Sequence, residues 1–181
     1  MFKLPNGVDI NNLIDNLRIF SWEAAHYMLH YSQLFKNGNY KRNIINKKNE
    51  DPVTKADLKV NEIIIKRIGE YYRDINWGIL SEENVKLEKG TCNEKFDWLW
   101  VLDPLDGTKD FIQATGNYAM HLALSYKNTP YLGVVLIPEK GELWFAYEDK
   151  VWVENKEGSK FKVNLNKNKS LHEMTLVTVS Y

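Results

Sequence analysis

An α+β fold, with two long N-terminal helices packed on a mainly antiparallel sheet, is what this 181-residue sequence predicts. Three observations lead there. Apolar residues recur with the helical period early in the chain, they gather into short runs from Trp98 onward, and turn residues separate those runs at spacings that suit antiparallel meanders better than helical crossovers. The first helix rests on Ile10, Leu13, Ile14, Leu17, Phe20, Ala24, Met28 and Tyr31, which fall on one face between Asp9 and Leu34, with Asp9 as N-cap. Asn37 to Glu50 is rich in Asn and Lys, contains Gly38 and keeps no period, so it reads as an exposed, mobile loop. Helical spacing returns after Pro52 at Val60, Ile63, Ile64, Ile68, Tyr71 and Tyr72. Thr54 and Asp57 have the spacing of a capping box with Asp in the Glu position, which starts the second helix near Asp57. Strands follow at Trp98 to Leu102, Tyr118 to Ser125, Tyr131 to Ile137, Glu142 to Tyr147, Lys150 to Val153, Phe161 to Val163 and Leu176 to Val179. Lys127-Asn128-Thr129-Pro130, Pro138-Glu139-Lys140-Gly141 and Glu157-Gly158 are the turns between them.

With 44% hydrophobic and 27% charged residues the chain has material for a core, which excludes a disordered or collagenous protein. Lys plus Arg and Asp plus Glu are 24 each, so the net charge is zero and no electrostatic footprint for nucleic acid or an anionic membrane is present. The single cysteine, Cys92, supplies neither an intrachain disulfide nor a zinc cluster, and a reducing cytoplasm is the expected compartment. The N-terminus lacks the apolar segment of a signal peptide, and no run approaches the roughly 18 apolar residues of a spanning helix, so a soluble chain is expected. Without a repeat or a linker rich in Pro, Gly or Ser, residues 1–181 read as one unit.

The chemistry concentrates in acidic residues at two strand ends. Ser81-Glu82-Glu83 follows the apolar Trp77-Gly78-Ile79-Leu80, and Trp100-Val101-Leu102 runs into Asp103-Pro104-Leu105-Asp106-Gly107-Thr108-Lys109-Asp110-Phe111. Pro104 removes a backbone donor and forces a turn that can return Asp106 toward Asp103. Glu82, Asp103, Asp106 and the exposed carbonyl of Leu105 can then converge as oxygen ligands on one or two hard cations, for which Mg²⁺ is the natural candidate. Glu83 is expected to face solvent or to stand outside the ligands. Gly107-Thr108 opens a short helix through Phe111 and Ile112, presenting N–H groups and a positive dipole end to a phosphate beside the metals. Taken singly, each piece also fits an ordinary turn, an N-cap at Asp106 or Asp57, or a solvated loop at Glu82-Glu83; taken together they favour the metal and phosphate reading.

Leu102-Asp103-Pro104-Leu105-Asp106-Gly107-Thr108-Lys109-Asp110-Phe111 resembles the signature of the inositol monophosphatase superfamily of Mg²⁺-dependent, lithium-sensitive phosphatases. Asp51-Pro52-Val53-Thr54-Lys55-Ala56-Asp57 and Leu80-Ser81-Glu82-Glu83 resemble two further blocks of that superfamily, in the expected order. Lys109 before an acid and Phe111, the run from Tyr118 to Pro138, and Trp152-Val153 are similar to its CysQ-type 3'(2'),5'-bisphosphate nucleotidase branch.

The resemblance implies the N-terminal half of the layered α/β sugar-phosphatase fold. It makes Glu82, Asp103, the Leu105 carbonyl and Asp106 metal ligands, with Asp103 bridging two ions. Asp57 and Thr108 position and deprotonate the attacking water, and Glu82, Leu105, Asp106, Gly107 and Thr108 line the substrate site. The substrate implied is a small bisphosphate nucleotide, adenosine 3',5'-bisphosphate or its phosphosulfate analogue, in sulfur assimilation. Inositol phosphate, fructose bisphosphate and a catalytically silent relative remain as alternatives. Members of the family run longer and supply a further aspartate from a later Trp-Asp-x-Ala-Ala-Gly-like block. This sequence has no such block, so a C-terminal half is expected to be missing, with the chain ending just inside the start of that half.

Other residues receive no role. His26 and His30, four apart on the first helix, read as packing or surface residues, His121 as a hydrogen-bonded core histidine, and Trp98, Trp100, Trp144 and Trp152 as core or sheet-face aromatics. Lys109 reads equally as a phosphate contact or an exposed lysine.

Overall fold

The protein is described by a computed structural model covering residues 3–38, 44–45, 53–87 and 96–163. Helix α1 spans Ile10–Lys36, two residues beyond the expected end, and Asp9 caps it by accepting from the Asn11 and Asn12 N–H groups at 3.0 Å each. Of the expected stripe, Leu13, Leu17, Phe20, Ala24 and Met28 are buried and Ile10, Ile14 and Tyr31 half-buried, and Phe35 in the added last turn is buried as well. Ile44–Ile45 (β1) pairs antiparallel with Val53–Thr54 (β2), so part of the expected loop is an extended arm lying on the residues that precede the second helix. Residues 39–43 and 46–50 of that loop lie outside the described residues, as does the expected strand Leu176–Val179. Helix α2 covers Lys55–Tyr71, beginning two residues before Asp57 because Thr54 is the N-cap and Asp57 closes the capping box from within the first turn.

A seven-stranded sheet follows, with neighbours in chain order: β3 Gly78–Ser81, β4 Trp98–Asp106, β5 Ala119–Tyr126, β6 Thr129–Ile137, β7 Glu142–Tyr147, β8 Lys150–Asn155 and β9 Lys160–Lys162. Every pairing in it is antiparallel except β3 with β4. Short helices α3, Glu82–Leu87, and α4, Thr108–Ile112, follow β3 and β4. Thr129 and Pro130 belong to β6 and not to a turn; Lys127 and Asn128 alone make that turn, at φ +48° and +64°.

Strand alternation gives the sheet two unlike faces. Trp100, Leu102, Met120, Leu122, Leu124, Leu132, Val134, Leu136, Leu143 and Phe145 are buried in the core that α1 and α2 share. On the opposite face, one register row runs Asp103, His121, Val135, Trp144 and Val153, all of them half-buried.

Two polar clasps hold α1 to the sheet. Arg18 donates to both carboxylate oxygens of Glu154, whose side chain has no exposed surface, and Trp152 Nε1 and Lys160 Nζ stand 2.7 and 3.2 Å from its Oε1. Burial alone would raise the Glu154 carboxyl; Arg18, Trp152 and Lys160 outweigh it and hold the group below its ordinary value. Near the other end of α1, Glu139 Oε1 accepts from Ser32 Oγ, Lys36 Nζ and Tyr118 OH at 2.7, 2.8 and 3.0 Å. Among the described residues no helix is long and apolar enough to cross a membrane.

Candidate active site

The parallel pairing of β3 with β4 is what places the acids. Its register sets Ser81 opposite Leu102, so Glu82 and Asp103, one residue further along each chain, leave the sheet at the same level. Pro104 cannot donate to a ladder, and the β4–β5 register shifts between Asp103 and Asp106. The Leu105 N–H turns back to Asp103 Oδ1 at 3.1 Å, which folds the segment so that Asp106 lies near Asp103.

Burial pushes the Asp103 carboxyl up to about 7, with the Glu82 and Asp106 carboxylates adding to the shift. Three acids therefore influence one another at the end of β4. They do not form a closed cage: among the described residues, no three His, Cys, Asp or Glu side chains stand at ligating spacing around one point.

Asp57 approaches from the start of α2. Its Oδ2 accepts from the Thr54 N–H at 2.9 Å and from the Thr54 hydroxyl, leaving Oδ1 to face Thr108 Oγ1 at 3.4 Å. The same Thr108 hydroxyl lies 3.1 Å from the Leu105 carbonyl oxygen. Carrying one proton, it can donate fully to only one of these two acceptors. Burial raises the Asp57 carboxyl to about 6 against the lowering effect of the Thr54 hydrogen bonds.

Gly107 makes the approach of Thr108 possible. Its φ is +84°, and a Cβ there would stand 2.7 Å from the Asn117 carbonyl oxygen. Gly141 has a similar φ of +65° but nothing within 4 Å of its Cβ position. Gly107→Ala is therefore expected to lower stability by about 2–3 kcal/mol, strain and clash together, and Gly141→Ala by about 1–2 kcal/mol of strain alone. Thermal unfolding of the two variants checks this, and equal losses would show that the Asn117 contact relaxes freely.

The structure brings Asp57, Glu82, Asp103, Leu105, Asp106, Gly107 and Thr108 to one end of the sheet, and it corrects two expectations and narrows a third. The Leu105 carbonyl is not simply exposed, since it faces the Thr108 hydroxyl. Of the two places expected for Glu83, burial removes solvent and leaves the one outside the ligands: the two acids open helix α3, where successive side chains diverge, so Glu82 points outward and Glu83 inward, near enough to Asp57 to raise it slightly. His121 is not a core residue. It is half-exposed on the open face, opposite Asp103 in register, with Nδ1 3.8 Å from Asp106 Oδ2. Its parity along β5 against Met120 and Leu122, both buried, is the signal that would have placed it there. Lys109 is exposed on α4.

Residues 18–181 match the family model of the inositol monophosphatase family. Among curated relatives, the 3'(2'),5'-bisphosphate nucleotidase CysQ of Buchnera aphidicola is 33% identical over 162 residues, covering 86% of this chain and 57% of that protein. The nucleotidase of the same name from Salmonella typhimurium is 34% identical over 108 residues, 60% of this chain and 42% of its own length. Among solved structures, an IMPase of Thermotoga maritima shares the fold at a TM-score of 0.66 with 23% identity, covering 88% of this chain and 56% of that one. CysQ of Bacteroides thetaiotaomicron superposes at 0.55 with 26% identity, over 86% and 52% of the two chains. The chain thus spans about half the length of the curated relatives it matches.

Proposed function

The chain belongs to the inositol monophosphatase family, and on that footing we propose that it carries the metal-binding and water-activating part of a Mg²⁺-dependent phosphatase. Its proposed reaction removes the 3'-phosphate of adenosine 3',5'-bisphosphate, and of its phosphosulfate analogue, leaving the 5'-nucleotide. The observation that carries this reading is the meeting of Asp57 with Thr108 beside three acids at the end of β4. The nucleotide as substrate is supported by the names of the curated relatives.

The donor set fits a hard cation. Asp103 is held near 7 by burial and by its two acidic neighbours, a crowding of negative charge that a divalent ion relieves, and every candidate ligand is oxygen. Glu82, Asp103, the Leu105 carbonyl and Asp106 would hold it. Bound there, such a cation supplies positive charge to the phosphoryl group and makes a water more acidic.

The chain's own part in the chemistry follows from the Thr108 hydroxyl. Turned toward the Leu105 carbonyl it cannot accept a proton from water and pass one on. Turned toward Asp57 Oδ1 it gives its proton to the carboxylate while its oxygen receives one from the attacking water. A base near 6 is ionised at neutral pH yet basic enough to take that proton. Thr54 keeps Asp57 Oδ2 occupied, so Oδ1 is the oxygen that serves. The Gly107 and Thr108 amides, at the start of α4, are proposed to hold the phosphoryl oxygens in line for attack.

The test is phosphate release from adenosine 3',5'-bisphosphate, inositol monophosphate and fructose 1,6-bisphosphate, with and without Mg²⁺. It is run on this chain and on the chain joined to the C-terminal portion of the Buchnera relative. Nucleotide turnover that needs Mg²⁺ is the expected result for the joined protein. Preference for either other substrate overturns the nucleotide assignment, and metal-independent turnover overturns the cation's role. Thr108→Val in the joined protein should leave Mg²⁺ affinity nearly unchanged and slow turnover by about 10²–10⁴-fold, since it removes the hydroxyl and no ligand. Full activity would move the base function elsewhere.

A further inference from the structure

His26 and His30, given no role above, lie in the middle of α1, and both are exposed. Four residues is about one helical turn, which stacks the two side chains one above the other with Cβ atoms about 5–6 Å apart. The repeat of His-Tyr at positions 26-27 and 30-31 adds a restraint. The His26 ring meets Tyr27 edge-on, with centroids 5.4 Å apart and planes at 81°, and His30 meets Tyr31 in the same way at 5.5 Å and 71°. Two imidazoles one turn apart, each edge-on to the tyrosine that follows it, lie on the same side of the helix.

That side is not a flat surface. A groove of about 420 Å³ runs along it, lined by both histidines together with Trp22, Leu29, Gln33 and Lys156. It leaves room beside the rings for an ion and its water. Gln33 donates through Nε2 to Asn37 Oδ1 at 3.3 Å, which leaves its carbonyl oxygen as an acceptor for such water.

We propose that His26 and His30 form a binding site for a divalent transition ion of the Zn²⁺, Ni²⁺ or Cu²⁺ class, with two imidazole nitrogens as protein ligands and water completing the coordination. Neutral imidazole selects these borderline ions over Mg²⁺, which prefers oxygen. The chain then carries two cation sites separated by ligand chemistry, oxygen at the end of β4 and nitrogen on the outer face of α1. The nitrogen site does not depend on the phosphatase reading.

Calorimetric titration with Ni²⁺ at neutral pH tests it, comparing the wild-type chain with His26→Ala, His30→Ala and the double variant. Alanine is the strongest helix former, so these exposed substitutions keep α1 intact, which circular dichroism verifies. His121→Ala, His172→Ala and Cys92→Ser remove the other side chains that bind Ni²⁺ well. One Ni²⁺ per chain is expected, weakened about tenfold or more by either single change at positions 26 and 30 and unaffected by the other three, with Mg²⁺ binding the same throughout. Wild-type affinity in both His26→Ala and His30→Ala, or loss of the Ni²⁺ site in His121→Ala, His172→Ala or Cys92→Ser, overturns the proposal. So does a wild-type chain that takes up no more Ni²⁺ than the double variant.

Discussion

Asp57→Asn is expected to stabilise the chain at neutral pH while abolishing most of the turnover of the joined protein. The carboxyl sits at about 6 in the folded protein because burial outweighs its hydrogen bonds from Thr54. An acid whose pKa is raised by folding favours the folded state when protonated. Ionising it costs stability progressively as pH rises from about 4 through 6, and the full cost remains above that. Asn is the neutral shape-match: its carbonyl oxygen accepts both Thr54 bonds, and its amide meets the Thr108 oxygen. The gain at pH 7 is on the order of 2–3 kcal/mol, or about 5–10 °C in Tm, and it shrinks toward zero near pH 4. Melting curves at the two pH values, without divalent ions, check this. A lower Tm for the variant at pH 7 would mean that the ionised carboxylate is better held by Thr54 than its burial allows. Turnover should fall about 10²–10⁴-fold, the ordinary contribution of a positioned base.

Arg18→Leu is the second large effect. Glu154 is enclosed on β8, and Arg18 is its bidentate partner; the substitution leaves a buried carboxylate with Trp152 and Lys160 only. Removing one partner of a fully buried pair costs about 3–5 kcal/mol, but the Arg18 side chain keeps 22% of its surface, so about 2 kcal/mol is expected. The sign with pH is opposite to that of Asp57. Glu154 is held below its ordinary value, so its contribution is complete at neutral pH and is lost as pH falls below about 4.5, where the variant and the wild type should converge. Arg67→Leu, which breaks the pair with Glu23 on the surface of α1 and α2, should change Tm much less. A similar drop for both would place the weight of the Arg18 contact in its packed stem and not in its charge.

The helices were legible because their apolar stripes are long and regular, and the sheet because apolar residues gather into short runs from Trp98 onward with turn residues between them. Residues 103–108 announced their turn through Pro104 and Gly107. What escaped the sequence was set by distance along the chain. Glu154 follows the alternation of β8 into the core, yet only the arrival of Arg18, 136 residues earlier, makes a buried acid tolerable there. Two adjacent acids do not tell in sequence which one faces out; the buried Ser81 at the end of β3 and the helical turn that follows it decide this, with Glu82 exposed and Glu83 buried. The loop between α1 and α2 hides the pairing of Ile44–Ile45 with Val53–Thr54, which is too short to leave a pattern.

The same Arg18 clasp puts a clock on the birth of the protein. A ribosome adding about 5–20 residues each second needs roughly 7–27 s to pass from Arg18 to Glu154. Throughout that interval α1 has its guanidinium made and its anchor not yet synthesised, with Ser32 and Lys36 likewise waiting for Glu139. The first helix can lie on α2 early, but it is fastened at both ends only after β8 emerges. Stalling between β5 and β8 would leave a nascent chain that already contains every acid of the proposed site on an unfastened scaffold.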